Sequence, residues 1–314
     1  MSADLISVIM PAYNAGQYIA EAIDSVIRQT HTNWELIIVD DGSNDDTVTI
    51  AKEFTQRDHR IQYAWQQQKG QGAARNNGLQ RAKGNYLAFL DADDGWLPEK
   101  LEKQLAVFLT NNVDLVFSDA YLKQAKESTR EKMNIQPGIY RGEEGVLAFL
   151  RGNRIPMLTV MVRESSLHNV NGFSEWRDIH EDYDLWLRML AAGGTLLGIE
   201  TPLAWYRNHP QSSSSGEGKM MMLDINTLQR FGANHPQYKP AVEHSIIYGI
   251  KNYLACNNIS NWKLASQLIE TKNNLDSDKV RLSSWRLIYS CLGKNIFRML
   301  FHLKWKGKLD QSRS

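Results

Sequence analysis

From Leu5 to Leu90 the chain alternates two hydrophobic rhythms. Leu5 to Met10, Trp34 to Val39 (WELIIV), Ile61 to Trp65 and Tyr86 to Leu90 are short apolar runs that read as strands, the first stopped by Pro11. Between them, Tyr18 to Gln29 sets Ile19, Ala22, Ile23, Val26 and Ile27 at helical spacing. Thr47 to Phe54 and Ala73 to Arg81 read as further helices. Strands that are apolar almost throughout, each followed by a helix, predict a largely parallel sheet covered on both faces. Beyond residue 100 the pattern loosens. Leu115 to Ser118 is strand-like, and Ile155 to Val162 is apolar. Ser174 to Ala192 is a polar lead into an amphipathic helix, and Leu196 to Tyr206 reads as a strand pair broken by Pro202. Ser212 to Gly218 is a serine-glycine loop, and the rest reads as helical.

In such sheets ligands sit beyond the carboxyl ends of the strands. The polar residues collect there: Pro11-Ala12-Tyr13-Asn14 after the first strand, Asp40-Asp41-Gly42-Ser43 after the second, and Asp91, Asp93 and Asp94 after the fourth. Asp residues at a turn before Leu97-Pro98-Glu99 could be helix caps. A cap needs one carboxylate, though, and three close together repel one another unless a hard divalent cation screens them. Asp94 is expected to be the cap. Asp41 could belong to a plain turn or accept the N3–H of a pyrimidine base. Arg75, expected in the first turn of a helix, could be a surface residue or meet a diphosphate. Glu181-Asp182-Tyr183-Asp184 suits a helix N-terminus on dipole grounds, and a carboxylate there could also be a general base. His209, just before the serine loop, is open to a structural role or a ligand role.

Composition narrows the partners. The chain has 314 residues, a net charge of +1, 42% hydrophobic and 23% charged residues, so charge gives no argument for nucleic-acid binding. The two cysteines, Cys256 and Cys291, are far apart and without metal-type spacing, which suits a reducing compartment. Asp4 stands where a signal peptide would carry positive charge, and no apolar run reaches the ~18 residues of a membrane span. The expected location is therefore cytoplasmic.

The order VIMPAYN (8–14), VDDGS (39–43), GQGAARNNG (70–78), FLDADD (89–94), EDYDLWLR (181–188) and YRNHPQS (206–212) resembles inverting family-2 glycosyltransferases of the bacterial polysaccharide type. No single motif is decisive, but the ordered set is specific, and it covers the chain up to the serine loop. The resemblance implies the GT-A fold, an α/β architecture with a mixed, mostly parallel Rossmann-like sheet flanked by helices. It implies a catalytic domain over 1–215 and leaves 216–314 as a helical C-terminal region. It also implies donor-nucleotide contacts from Pro11, Ala12, Asp41, Arg75 and Asp91, and a magnesium or manganese ligand at Asp93 with His209 as a second. Asp182 is implied as the catalytic base. The implied partners are a nucleotide-sugar donor, most naturally a UDP-sugar, and a glycan or lipid-linked glycan acceptor. A sugar-phosphate nucleotidyltransferase would need a glycine-rich, arginine-bearing loop after the first strand, and PAYN is not one. A non-catalytic sugar-nucleotide-binding protein would have been favoured by loss of Asp93 or Asp182, and both are present.

The last segment adds a membrane expectation. Lys279 to Lys308 carries eight Lys and Arg and no Asp or Glu, with Trp285, Ile288, Tyr289, Leu292, Ile296, Leu300 and Leu303 at helical spacing. A basic amphipathic helix of this kind reads as lying on a membrane surface, here the cytoplasmic face; its alternative is packing on the catalytic domain.

Overall fold

The computed structural model describes residues 4–123, 131–209, 218–256 and 262–275. The chain divides into two compact units, residues 1–212 and 213–314.

The first unit is built on a ten-stranded sheet. Its opening half is a regular alternation: β1 (Ile6–Ala12), α1 (Ile19–Ile27), β2 (Trp34–Asp40), α2 (Thr47–Arg57), β3 (Ile61–Trp65), α3 (Gln71–Leu79) and β4 (Tyr86–Phe89). These strands lie parallel in the order β3-β2-β1-β4. Every residue of β1 and β2 is buried, because helices cover both faces. Leu36 and Ile38 of β2 face the cluster that contains Ile19, Ile23 and Val26 of α1, whereas Ile37 and Val39 pack on the other face against Ala74 of α3. Burial of a side chain of this size stabilises by roughly 1.5–3 kcal/mol. On that second face α3 lies so close that a Cβ at Gly78 would come within 2.5 Å of Ile9 Cγ2. Only glycine permits this approach, and it brings α3 and its Arg75 down onto the sheet.

The second half completes the sheet with β5 (Gly95–Trp96), α4 (Lys100–Thr110), β6 (Leu115–Lys123), β7 (Glu131–Lys132), β8 (Gly138–Tyr140), α5 (Gly142–Leu150), β9 (Met161–Arg163), α6 (Glu164–Asn169), α7 (Glu181–Ala191) and β10 (Leu196–Arg207). β9 is antiparallel to both β4 and β6, and β10 runs parallel to β6 and so in the direction of β1. The apolar run at Ile155 thus resolves into a 3-10 turn at Met157–Thr159 and the short β9.

Two expectations about proline need correction. β1 does not stop at Pro11 but runs through it to Ala12. The β1–β4 pairing ends at Ile9–Phe89, so the hydrogen bond that Pro11 cannot donate has no partner strand waiting for it. Likewise Pro202 does not split a hairpin: β10 is one strand, with register shifts against β6 between Ile199 and Pro202 and between Pro202 and Ala204.

The second unit contains α8 (Lys219–Asn234), α9 (Lys239–Cys256) and α10 (Trp262–Leu275). Phe231, Ile246, Ile250, Leu254 and Leu268 are buried within it. A Cβ at Gly232 would stand 3.2 Å from Val242, so α8 and α9 approach closely. Residues 210–217, most of the serine-glycine loop, and the basic segment 279–308 lie outside the described residues. Among the described residues no helix is long and apolar enough to cross a membrane.

Candidate active site

The polar segments that follow β1, β2 and β4 meet at one edge of the sheet. After the buried Pro11 and Ala12, the chain turns at Asn14, whose backbone is left-handed (φ 49°). Asn14 N–H donates to Ser43 Oγ at 2.9 Å, and Asn44 N–H donates to Asn14 Oδ1 at 2.8 Å. The two loops are thereby stitched together. Asp40 is fully buried and accepts from Ser43 N–H (2.9 Å) and Tyr63 Oη (2.7 Å). Burial, and then the neighbouring Asp40 carboxylate, raise the Tyr63 phenol well above its usual range. Asp41 accepts from Gln66 Nε2 and Lys69 N–H at 2.7 Å each on Oδ1, and from Gly70 N–H at 2.8 Å on Oδ2. It shapes the loop into α3, and Oδ2 keeps a lone pair for a further donor.

Arg75 is placed differently from the sequence expectation. α3 starts at Gln71, so Arg75 lies in its second turn, not its first, and is 1% exposed. Its guanidinium donates to Asp91 Oδ1 at 2.7 Å and to Glu181 Oε1 at 2.5 Å, and lies 5.6 Å from the Phe173 ring. Burial alone would loosen its proton, but the charges of Asp91 and Glu181 outweigh that and hold it firmly cationic. Arg75 therefore ties the end of β4 to the start of α7. Burial and the charge of Asp93 raise the Asp91 carboxyl despite its Arg75 partner.

Asp93 and Asp94 part company. Asp93 Oδ2 lies 2.9 Å from His209 Nε2, and the His209 ring rests against Tyr18 with centroids 4.9 Å apart. Asp94 is not a helix cap. α4 begins after Glu99 with no side-chain cap, and Asp94 turns inward, 2% exposed, to accept Arg207 N–H at 2.8 Å. Burial and the two neighbouring aspartates push its carboxyl well above the ordinary range. Arg207 also donates from Nε to the Asp93 carbonyl at 2.9 Å and from Nη2 to Glu21 at 2.5 Å. It thus holds the aspartate turn from behind. Nothing in the motif marked Arg207 beforehand except its place two residues before His209.

On α7, Glu181 faces Arg75 while Asp182 faces away to other partners. Asp182 Oδ1 accepts its neighbour Tyr183 N–H at 2.6 Å, and Oδ2 accepts Asn153 Nδ2 at 3.1 Å. Burial and the adjoining Glu181 push the Asp182 carboxyl up to about 7, against the opposing pull of Arg75 and the two hydrogen bonds. A carboxyl titrating there is matched to proton transfer near neutrality. Asn153 lies in no motif of the sequence, and no local signal could have found it.

The segment leading into α7 is pinned to α3 and the loop before it. Arg177 donates to the carbonyls of Gln68 (2.9 Å) and Lys69 (3.2 Å), and Asn76 Nδ2 donates to the Phe173 carbonyl at 2.9 Å. A Cβ at Gly72 would come within 2.4 Å of the Ser174 carbonyl, so glycine is what permits this close crossing.

Among the described residues no three His, Cys, Asp or Glu side chains gather to hold a metal ion by themselves. Asp93 and His209 nevertheless bring two donors to one point, beside a carboxylate-rich turn. The carboxylate of that pair fits a hard divalent ion completed by phosphate oxygens and water, and the imidazole suits manganese better than magnesium.

A family model described as Glycosyl transferase family 2 matches residues 7–167. The chain belongs to glycosyltransferase family 2. It is 32% identical over 252 residues, 79% of this chain and 95% of the relative, to the Escherichia coli UDP-Glc:alpha-D-GlcNAc-diphosphoundecaprenol beta-1,3-glucosyltransferase WfgD. Among solved structures, TarS 1–349 of S. aureus in complex with UDP-GlcNAc superimposes with a TM-score of 0.65 at 16% identity, covering 96% of this chain and 92% of that one. The mannosyltransferase PcManGT of Pyrobaculum calidifontis, in complex with GDP-Man and Mn2+, gives 0.59 at 14% identity over 98% of this chain and 88% of that one. The fold of this family-2 chain is accordingly GT-A.

Proposed function

We propose that this glycosyltransferase moves a sugar from a nucleoside-diphosphate donor, a UDP-sugar, to a hydroxyl of a glycan or lipid-linked glycan, inverting the anomeric centre, in the assembly of a cell-surface polysaccharide. The observation that carries the reading is Asp182: a carboxyl raised to about 7, on the first turn of α7, next to the Glu181–Arg75–Asp91 chain that leads to the aspartate turn. The similarity to WfgD, a UDP-Glc:alpha-D-GlcNAc-diphosphoundecaprenol glucosyltransferase, supports the same substrate classes.

In this reading Asp182 accepts the proton of the acceptor hydroxyl. The oxygen attacks the anomeric carbon from the face opposite the diphosphate, the carbon–oxygen bond to the diphosphate breaks, and the anomer inverts in one step. No covalent glycosyl-enzyme forms, so no nucleophile is required of the protein. Pro11, Ala12, Asp41 and Asp91 line the donor nucleotide, and Arg75, its charge matched by Asp91 and Glu181, braces that lining from beneath. Asp93 and His209 would hold a manganese or magnesium ion, whose chemistry is to neutralise charge on the departing diphosphate. Orientation of two substrates in a cleft that excludes water contributes several kcal/mol more. Residues 1–215 form the catalytic domain in this proposal. For the basic segment 279–308, outside the described residues, the proposal is binding to the cytoplasmic face of a membrane rather than packing on the catalytic domain, and binding of the full chain to anionic vesicles at low salt, lost on truncation after the serine loop, tests it.

The test of the mechanism pairs two variants. Asp182→Asn should lower turnover by about a hundred- to ten-thousand-fold while leaving UDP binding near wild type. Asp93→Asn should instead weaken manganese-dependent UDP binding measured by calorimetry. Near-normal turnover of Asp182→Asn would place the base elsewhere.

A further inference from the structure

We infer that Asn153 is the positioning residue of the catalytic base: its side-chain amide holds the Asp182 carboxylate ionised and turned for proton transfer. This deepens the reading of Asp182 as the base and rests on it.

Three features of the turn at residues 152–155 carry the inference. The first is the orientation of the amide. Ile155 N–H donates to Asn153 Oδ1 at 3.3 Å, which leaves Nδ2 as the end presented to Asp182 Oδ2 at 3.1 Å. The second is the backbone. Gly152 has φ +143°, and a Cβ there would meet nothing within 4 Å. The glycine is therefore not there to relieve packing; it supplies a conformation that other residues rarely adopt and so aims the residue after it. The third is the anchoring of the turn to the helix that carries the base. Ile155 is 1% exposed, and its carbonyl accepts Trp186 Nε1 of α7 at 3.3 Å, while Arg154 Nε donates to the Ala148 carbonyl at 2.9 Å. Asn153 itself is exposed, so its packing explains none of this.

Chemically the arrangement divides the lone pairs of Asp182. Tyr183 N–H occupies Oδ1 and Asn153 occupies Oδ2, each once, which leaves one site on each oxygen for an incoming hydroxyl. A donor hydrogen bond favours the charged carboxylate over the neutral acid. The charged groups that bear on Asp182 are Glu181, beside it on α7, and Arg75, from α3. They act in opposite directions, so the Asn153 bond falls where the balance between ionised and protonated base is decided.

The experiment uses the full chain with Asn153→Ala, Asn153→Asp and Gly152→Ala. Because Asn153 is exposed, its replacement should leave thermal stability almost unchanged. The first readout is carbon-13 NMR of the aspartate carboxyls across pH, with the Asp182 signal assigned by its absence in Asp182→Asn. Asn153→Ala should raise the Asp182 midpoint by about one unit, the shift expected on losing one hydrogen bond to a charge. Asn153→Asp should raise it further, and Gly152→Ala should follow Asn153→Ala. The second readout is UDP release from UDP-glucose and UDP-N-acetylglucosamine with manganese. The acidic limb of its rate should move up by the same amount, giving about a tenfold loss below the limb and little loss on the alkaline plateau, with UDP affinity unchanged. A carboxyl midpoint that stays put in Asn153→Ala overturns the inference, as does a loss of rate uniform in pH. If Asp182→Asn keeps its UDP release, the base assignment fails instead, and the NMR midpoint still reports separately on the Asn153 bond.

Discussion

Replacing Arg75 by methionine removes the cation on which two acidic segments converge, and the size of the effect follows from the burial of the group. Arg75 is 1% exposed and contacts Asp91 at 2.7 Å and Glu181 at 2.5 Å. Methionine fills a similar volume, so the change is mainly one of charge. Removing one partner of a buried ion pair costs about 3–5 kcal/mol, because the other is left uncompensated. The cost must depend on pH. Asp91 already has a raised folded pKa, from burial first and then Asp93, with Arg75 opposing both. Without Arg75 that pKa rises further. An acid whose folded pKa lies above its unfolded value of about 3.9 binds more protons folded than unfolded between the two, so stability falls as pH rises through that window. The variant's deficit should therefore be smaller at an acidic pH than at an alkaline one. Urea unfolding of wild type and Arg75→Met, followed by far-UV circular dichroism at both pH values, measures it. Adding Glu181→Gln to Arg75→Met should recover part of the loss, since one of the stranded carboxylates is gone. A deficit equal at both pH values, or below about 1 kcal/mol at the higher one, would refute the argument.

Other expectations follow from single side chains. Lys100 is fully buried, with Nζ 2.6 Å from Gln104 Oε1 and 4.3 Å from the Trp96 ring, and burial holds its pKa well below the usual value. The unfolded chain binds that proton up to about pH 10.4, so stability should rise with pH from the folded pKa toward that value. Lys100→Met should flatten the rise in thermal melts, and a rise that persists assigns it to another group. Gly78→Ala sets a Cβ 2.5 Å from Ile9 Cγ2 and should cost about 1–3 kcal/mol and weaken UDP binding by lifting α3; a more stable variant would contradict this. Asp94→Asn should be mild, because an amide oxygen can still accept Arg207 N–H, whereas Asp94→Ala should cost about 1–3 kcal/mol by leaving that donor unsatisfied. Equal melting temperatures for the two would show that the bond is not what holds Asp94 inward.

The elements up to Leu90 were legible because each is specified locally. The nearly continuous apolar runs of β1 and β2 are buried on both faces, and helical spacing in α1 puts Ile19, Ala22, Ile23 and Val26 inside. What failed was what depends on distant partners. The start of α3 was read two residues late, since Gly70 and Gly72 look like helix breakers; the crossing by Ser174, far along the chain, is the reason for glycine at position 72. Pro202 reads as a break until its neighbour β6 is known to tolerate a shifted register. The acidic motifs were legible as a group but not in their individual duties. Arg75 and Glu181 are 106 residues apart, and no spacing rule connects them.

Those duties follow a common division that explains why the site carries more carboxylates than its chemistry needs. In two of the acidic doublets, one member is tied to the protein while its neighbour is turned to another side; in the third, Asp40 and Asp41 are both held by protein donors. Asp94 accepts Arg207 N–H while Asp93 meets His209. Glu181 takes Arg75 while Asp182 is left with two weaker donors and a raised pKa. Consecutive residues at a strand end or a helix start point apart, so a doublet is a short way to couple a tether to a working group. The coupling has a direction. Loosening a tether moves the neighbour's charge and aim together, whereas altering the working group leaves the tether in place. Glu181→Gln should therefore disturb both the Arg75 chain and the titration of Asp182, whereas Asp182→Asn should leave the Arg75–Asp91 contact intact.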